Sequence, residues 1–189
     1  MASTTASPGL AGLLLQTSDV TGATSGLDAG DLDLTGFSDP LSGTERALRR
    51  QAGGRFAARR FLLPTGAGDA VVETAAYGLP RTTAADALLS QLRTFTADVV
   101  ALDPSCPLGN SGRGGVFCDL PGLAAGEVGY RLRVTASGET VEHRARAWAV
   151  IGRTVLLVGA RTTGPELEVD LPALLALARD RSRNHDALR

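Results

Sequence analysis

A chain of 189 residues, 43% hydrophobic and 21% charged, fits one globular domain, or one domain with loose ends, and can bury a full core. A net charge of −1 gives no global pull toward nucleic acid or an anionic membrane surface. All 19 basic residues are arginine. That excludes phosphate-loop, Schiff-base and pyridoxal lysines and, with the abundant Ala, Gly, Val and Leu, points to a GC-rich genome.

No apolar run reaches the roughly 18–20 residues of a membrane span, and no basic stretch followed by an apolar one opens the chain. Residues 1–9, "MASTTASPG", read as a flexible tether. It is either a native start or what remains after a leader or lipid-anchored segment. "LAGLLLQTSDV" reads as a short apolar helix, and "TGATSGLDAG" as loop. "DLDLTGF", with Asp31 and Asp33 alternating, reads as a short strand. Thr44–Ala52 reads as helix, with Thr44 as N-cap and Gly53-Gly54 as its stop. Arg55–Pro64 and the run "DAVVETAAYGL", separated by "TGAG", form a hairpin.

Thr82–Asp98 carries the strongest helical signal, with Ala85, Leu88, Leu89, Leu92 and Phe95 near 3.6-residue spacing. A long loop with both cysteines follows. Glu127–Ala136, Thr140–Ile151 and Thr154–Thr162 read as strands joined by tight turns at Ser137-Gly138 and Gly152-Arg153. The last helix runs from about Glu168 to Arg183, and residues 184–189 read as a frayed tail. The predicted class is α+β: an antiparallel meander sheet with helices packed on one face, a two-layer sandwich, over residues 10–183.

A two-residue turn at Ser137-Gly138 pairs Ala136 with Glu139 and places Arg133 opposite Glu142 and Arg131 opposite Arg144. With period-two alternation, Arg131, Arg133, Arg144, Arg146, Trp148 and Arg161 then share one face. The second turn pairs Trp148 with Leu157 and Arg144 with Arg161. Glu142 neutralises Arg133 across the strands, and Glu73 is a candidate partner for the Arg131–Arg144 pair. The other face, with Ala145, Ala147, Ala149, Leu156, Val158 and Ala160, is small and apolar and receives both long helices. The arginine face is either the wet side of an antiparallel sheet or a groove with an aromatic rim at Trp148 for an anionic or carbohydrate-like ligand. His143, on the apolar face, reads as a hydrogen-bonded core residue.

Cys106 and Cys118 are the only cysteines. They have neither further metal ligands nearby nor redox-motif spacing. A disulfide between them would close a glycine-rich loop, contribute roughly 3 kcal/mol and imply an oxidising, extracytoplasmic compartment; two free thiols are the alternative. No nucleophile elbow, HExxH, complete dinucleotide fingerprint or calcium loop occurs. No catalytic residue, metal or cofactor is expected.

Taken in order, "LLQTSDV", "DAVVETAAYGL" running into "TTAADALLSQLRTFTAD", a cysteine beside proline, "LPGLAAGEVGYRLRV" and "RARAWAVIGRTVLLVGA" before a last helix resemble the secreted sensor-like domains of actinobacteria. These include predicted lipoproteins and the extracellular sensor domains of mycobacterial serine/threonine kinases of the PknH type. The likeness covers roughly residues 10–183. It implies a helix-flanked antiparallel sheet outside the membrane, in the cell envelope or beyond, attached to the membrane only through a removed leader or lipid anchor. It implies a ligand-sensing module and brings no catalytic residues with it. Two further classes remain open: a metal-free, cyclase- or isomerase-like enzyme working in the sheet cleft, and a structural envelope protein with a protein partner.

Overall fold

A computed structural model describes residues 8–28, 48, 50–53, 55–65, 68–102, 113–136, 139–164, 167 and 169–187. The strand read over "DLDLTGF", the Thr44 cap, Cys106 and the turn residues Ser137 and Gly138 lie outside them. Seven strands, β1 (Ser25–Asp28), β2 (Phe56–Thr65), β3 (Gly68–Gly78), β4 (Arg113–Asp119), β5 (Val128–Ala136), β6 (Glu139–Ile151) and β7 (Thr154–Thr162), form one antiparallel sheet in the order β1-β2-β3-β7-β6-β5-β4. Helices α1 (Pro8–Ala11), α2 (Thr82–Leu102) and α3 (Leu171–Ala187) accompany it, with a 3₁₀ turn at Thr17–Asp19. The α+β class and the antiparallel sheet are as the sequence reads.

The β6–β7 turn also agrees. Ile151 pairs with Thr154, so Trp148 meets Leu157 and Arg144 meets Arg161, and Gly152 takes φ 54°, a left-handed conformation that glycine adopts without Cβ strain. The predicted stop after Ala52 holds as well: Gly53, at φ 56°, donates its N–H to the Arg50 carbonyl at 3.2 Å.

Helix placement departs from expectation. Alternation divides the sheet into two faces, each with its own core. One joins Phe56, Ala58, Ala75, Tyr77, Val128, Tyr130, Trp148, Val155 and Leu157 to Ala85, Leu88, Leu89 and Leu92 of α2. The other joins Phe61, Val72, Ala145, Ala147, Leu156, Val158 and Ala160 to Leu171, Leu175 and Ala178 of α3 and to Leu13–Leu15. The two long helices therefore lie on opposite faces, which corrects the expectation that both pack on the small-residue face. The aromatic face proves equally apolar along half its length, and an apolar face must be covered by something.

Three boundaries also shift. Ser25–Asp28, read as loop, is the edge strand β1. Arg113–Asp119, read as part of the cysteine loop, is the opposite edge strand β4. The last helix begins at Leu171, where Asp170 Oδ1 accepts the Ala173 N–H at 3.0 Å as an N-cap does, and it continues to Ala187 through residues read as frayed.

Candidate functional site

The β5–β6 hairpin decides which arginines stand together. Its first pairs are those expected, Ala136 with Glu139 and Thr135 with Thr140, but the register then slips between Val134 and Thr135. Val134 pairs with Glu142, Arg133 with His143, Leu132 with Arg144 and Arg131 with Ala145. One extra residue on β6 makes a β-bulge, and a one-residue slip sends every later side chain on one strand to the other face. This corrects the expected pairs Arg133–Glu142 and Arg131–Arg144. Arg131 and Arg133 share a face with His143, and Arg144, Arg146, Trp148 and Arg161 occupy the opposite one.

On the Trp148 face Glu73, Arg144 and Arg146 are buried, while Arg60, Glu142 and Arg161 are half-buried. Arg144 meets Glu142, two residues earlier on its own strand, fork to fork: Nε donates to Oε1 at 2.8 Å and Nη2 to Oε2 at 2.7 Å. Glu73, 4% exposed, accepts from Arg60 Nε at 2.9 Å and Nη2 at 2.6 Å through Oε1, so it serves Arg60 and not the pair anticipated for it. Register aligns Arg60, Glu73, Gly159, Arg146 and Tyr130 in one row across five strands. Arg146 lies over Gly159, its Cγ 3.6 Å from where a Cβ would stand.

Trp148, read as an aromatic rim, is completely buried. Its ring lies 5.7 Å from Tyr130, which lies 5.3 Å from Phe117, and α2 closes over that end of the face. Alternation assigned Trp148 to the correct side but carried no information on what covers it.

The other face holds an open cleft of about 320 Å³ lined by Cys118, Arg131, Arg133, His143 and Leu167, together with Leu132 and Arg144. The strands β4, β5 and β6 set its floor: Cys118 pairs with Arg131, and Arg133 with His143. Arg131 and Arg133 are exposed. Arg131 Nε donates to the Asp119 carbonyl at 2.9 Å, which anchors the guanidinium and leaves its terminal nitrogens outward. Neither arginine has a carboxylate within ion-pair distance among the described residues. His143 is half-buried at the cleft wall, not the hydrogen-bonded core residue expected.

Cys118 is a half-buried free thiol on β4, facing this cleft and not a loop. No disulfide is seen at Cys118, and Cys106, its expected partner, lies outside the described residues. Sequence reading missed the cleft because Cys118 and Leu167 stood in segments taken as loop, while the bulge hid the arginine pair's true face.

Further hollows lie among the described residues. One, of about 280 Å³, lies among Asp69, Val71, Glu142, Arg161, Thr162 and Thr163. A wider one of about 510 Å³ follows residues 119–129 beside Arg93. That segment is pinned from both sides of the sheet: Arg93 of α2 donates to the Gly126 carbonyl at 3.0 Å, and Arg179 of α3 to Glu127 Oε1 at 2.8 Å. Among the described residues no group of three or more His, Cys, Asp or Glu side chains converges to hold a metal.

Comparison with known proteins places this geometry in a recognised fold. No family profile matches the chain, and no curated protein matches it in sequence. A solved structure does match: the extracellular domain of PknH from Mycobacterium tuberculosis, at TM-score 0.55 and 15% identity, over 94% of this chain and 95% of that one. The fold is shared. At that identity the side chains of the cleft are this chain's own, and their chemistry must be read from their positions here. Two guanidiniums, a ring nitrogen and a thiol line this hollow, and arginine forks are suited to planar or tetrahedral oxyanions through paired, charge-assisted hydrogen bonds.

Proposed function

We propose that this chain is a sensor-like binding module acting outside the cytoplasm, and that an anionic ligand docks in the cleft of Arg131, Arg133, His143, Cys118 and Leu167. The observation that carries the proposal is the pair of exposed guanidiniums sharing one hollow with no acidic partner among the described residues. Of the six residues singled out in the sequence, Arg131 and Arg133 are assigned the ligand contacts. Arg144, Arg146, Arg161 and Trp148 belong to the opposite face and build the sheet beneath. The shared fold with a kinase's extracellular domain supports both the sensor-like role and the compartment.

The test is thermal denaturation against a panel of small anions at low ionic strength. Ligands that raise the Tm of the native chain should lose about tenfold or more in affinity with Arg133→Gln, in line with the worth of a hydrogen bond to a charged group. The Tm of the unliganded variant should not move, since the side chain is exposed and makes no internal bond. A ligand shift that survives Arg131→Gln and Arg133→Gln together would remove the cleft from consideration.

A further inference from the structure

Resting on that proposed cleft, we infer that the group it recognises is doubly charged: the phosphomonoester head of a small soluble molecule. Three observations converge on this. The first is charge balance. Several arginines elsewhere pair with acids, Arg60 with Glu73, Arg144 with Glu142, Arg179 with Glu127, Arg181 with Asp19, but in this hollow two neighbouring guanidiniums face no described carboxylate. A monoanion leaves one of them uncompensated at a partly enclosed surface; a phosphomonoester, at about −1.5 to −2 near neutral pH, matches both.

The second observation is donor geometry. Arg131 and Arg133 leave the same face two residues apart on β5, a separation of about 7 Å between Cα atoms, so their forks approach a common point from neighbouring positions. Arg131 is held by its Nε bond to the Asp119 carbonyl, which presents only its terminal nitrogens. Arg133 keeps all five N–H donors of its guanidinium free, and His143, its direct partner across the strands, adds a ring nitrogen. A head with three terminal oxygens can engage all three side chains at once. A carboxylate, with two, must share one oxygen between two of them.

The third is size. About 320 Å³ stands at the lower end of small-molecule sites, enough for a charged head and a compact body packed against Leu167.

The experiment is isothermal titration calorimetry of the whole chain at low salt with two probes of matched body, phenyl phosphate and benzoate, and with inorganic phosphate. Phenyl phosphate should bind at least tenfold more tightly than benzoate. Arg133→Gln should erase most of that ratio, and Arg133→Lys, which keeps the charge but not the fork, should recover only part of it. Circular dichroism checks that each variant is folded. If benzoate binds as tightly as phenyl phosphate and both are lost with Arg133→Gln, the anion cleft stands and the doubly charged head is wrong. If neither probe binds, or if Arg133→Gln changes nothing, both are wrong.

Discussion

Glu73 sits in the middle of the sheet, paired with Arg60, and its side chain is nearly sealed from water. Removing one member of such a pair leaves the other poorly solvated, which costs more than the pair's net worth. Arg60 keeps about a quarter of its side chain exposed (28%), which moderates the loss. Glu73→Gln should therefore lower stability by about 1–3 kcal/mol, read as a lower urea midpoint with unchanged slope. Gly129 makes a sharper case. A Cβ there would stand 2.7 Å from the Arg146 carbonyl oxygen and 2.8 and 2.9 Å from Leu120 and Leu123. Backbone cannot give way as a flexible side chain can, so Gly129→Ala should cost about 1–3 kcal/mol, visible as a depressed Tm. The sequence offers Glu73 as a partner for other arginines and gives no sign of the constraint at Gly129, which looks like one more glycine beside a turn.

At the level of elements the β5–β6 bulge has the widest effect. Val141 is 39% exposed, so Val141→Thr should change stability by under about 0.5 kcal/mol. Deleting Val141 is a different matter. It takes out the extra residue itself, so the turn pairs and the Val134–Glu142 register can both be kept with regular alternation, and Trp148, Ala145 and Ala147 stay in their cores. The deletion should fold and keep its near-ultraviolet circular dichroism; loss of that signal would show that the cores need the local twist of the bulge as well as the register it sets. The same bulge marks the limit of what could be read in advance. The strands β2, β3, β5, β6 and β7 and both long helices were legible because periodic apolar residues and glycine turns mark them. The β6–β7 register was legible because its turn is tight and no bulge intervenes. The β5–β6 register was not, since a bulge is set by cores on both faces that only the assembled sheet supplies. Edge strands β1 and β4 escaped because Gly-rich stretches carry little strand signal. Two of the five cleft residues follow the same logic: Arg131 and Arg133 stand out in the sequence, which places His143 in the core and Cys118 in a disulfide.

Across the whole molecule, two cores share one sheet. Trp148 and Ala147 are neighbours on β6 yet belong to opposite cores, and the same holds for Leu157 and Leu156 on β7. Neither face can lose its packing without exposing the strands that support the other. Unfolding in urea should accordingly be a single transition, with the fluorescence of the one tryptophan and far-ultraviolet circular dichroism coinciding. Separated midpoints would mean that one helix and its core detach first.

Strand order has a consequence for synthesis. β3 finds its second neighbour only in β7, so Gly78 pairs with Thr154, 76 residues later (154 − 78). At about 5–20 residues per second the ribosome needs roughly 4–15 s to supply that partner. Throughout this interval the nascent β2–β3 hairpin presents a bare, largely apolar edge, the kind of surface on which chains aggregate. Glu73 and Arg60 stand midway along that hairpin, ionised and in water until β7 arrives. The pair that ends buried in the finished sheet thus begins as a gatekeeper, guarding the growing chain before it stabilises the folded one.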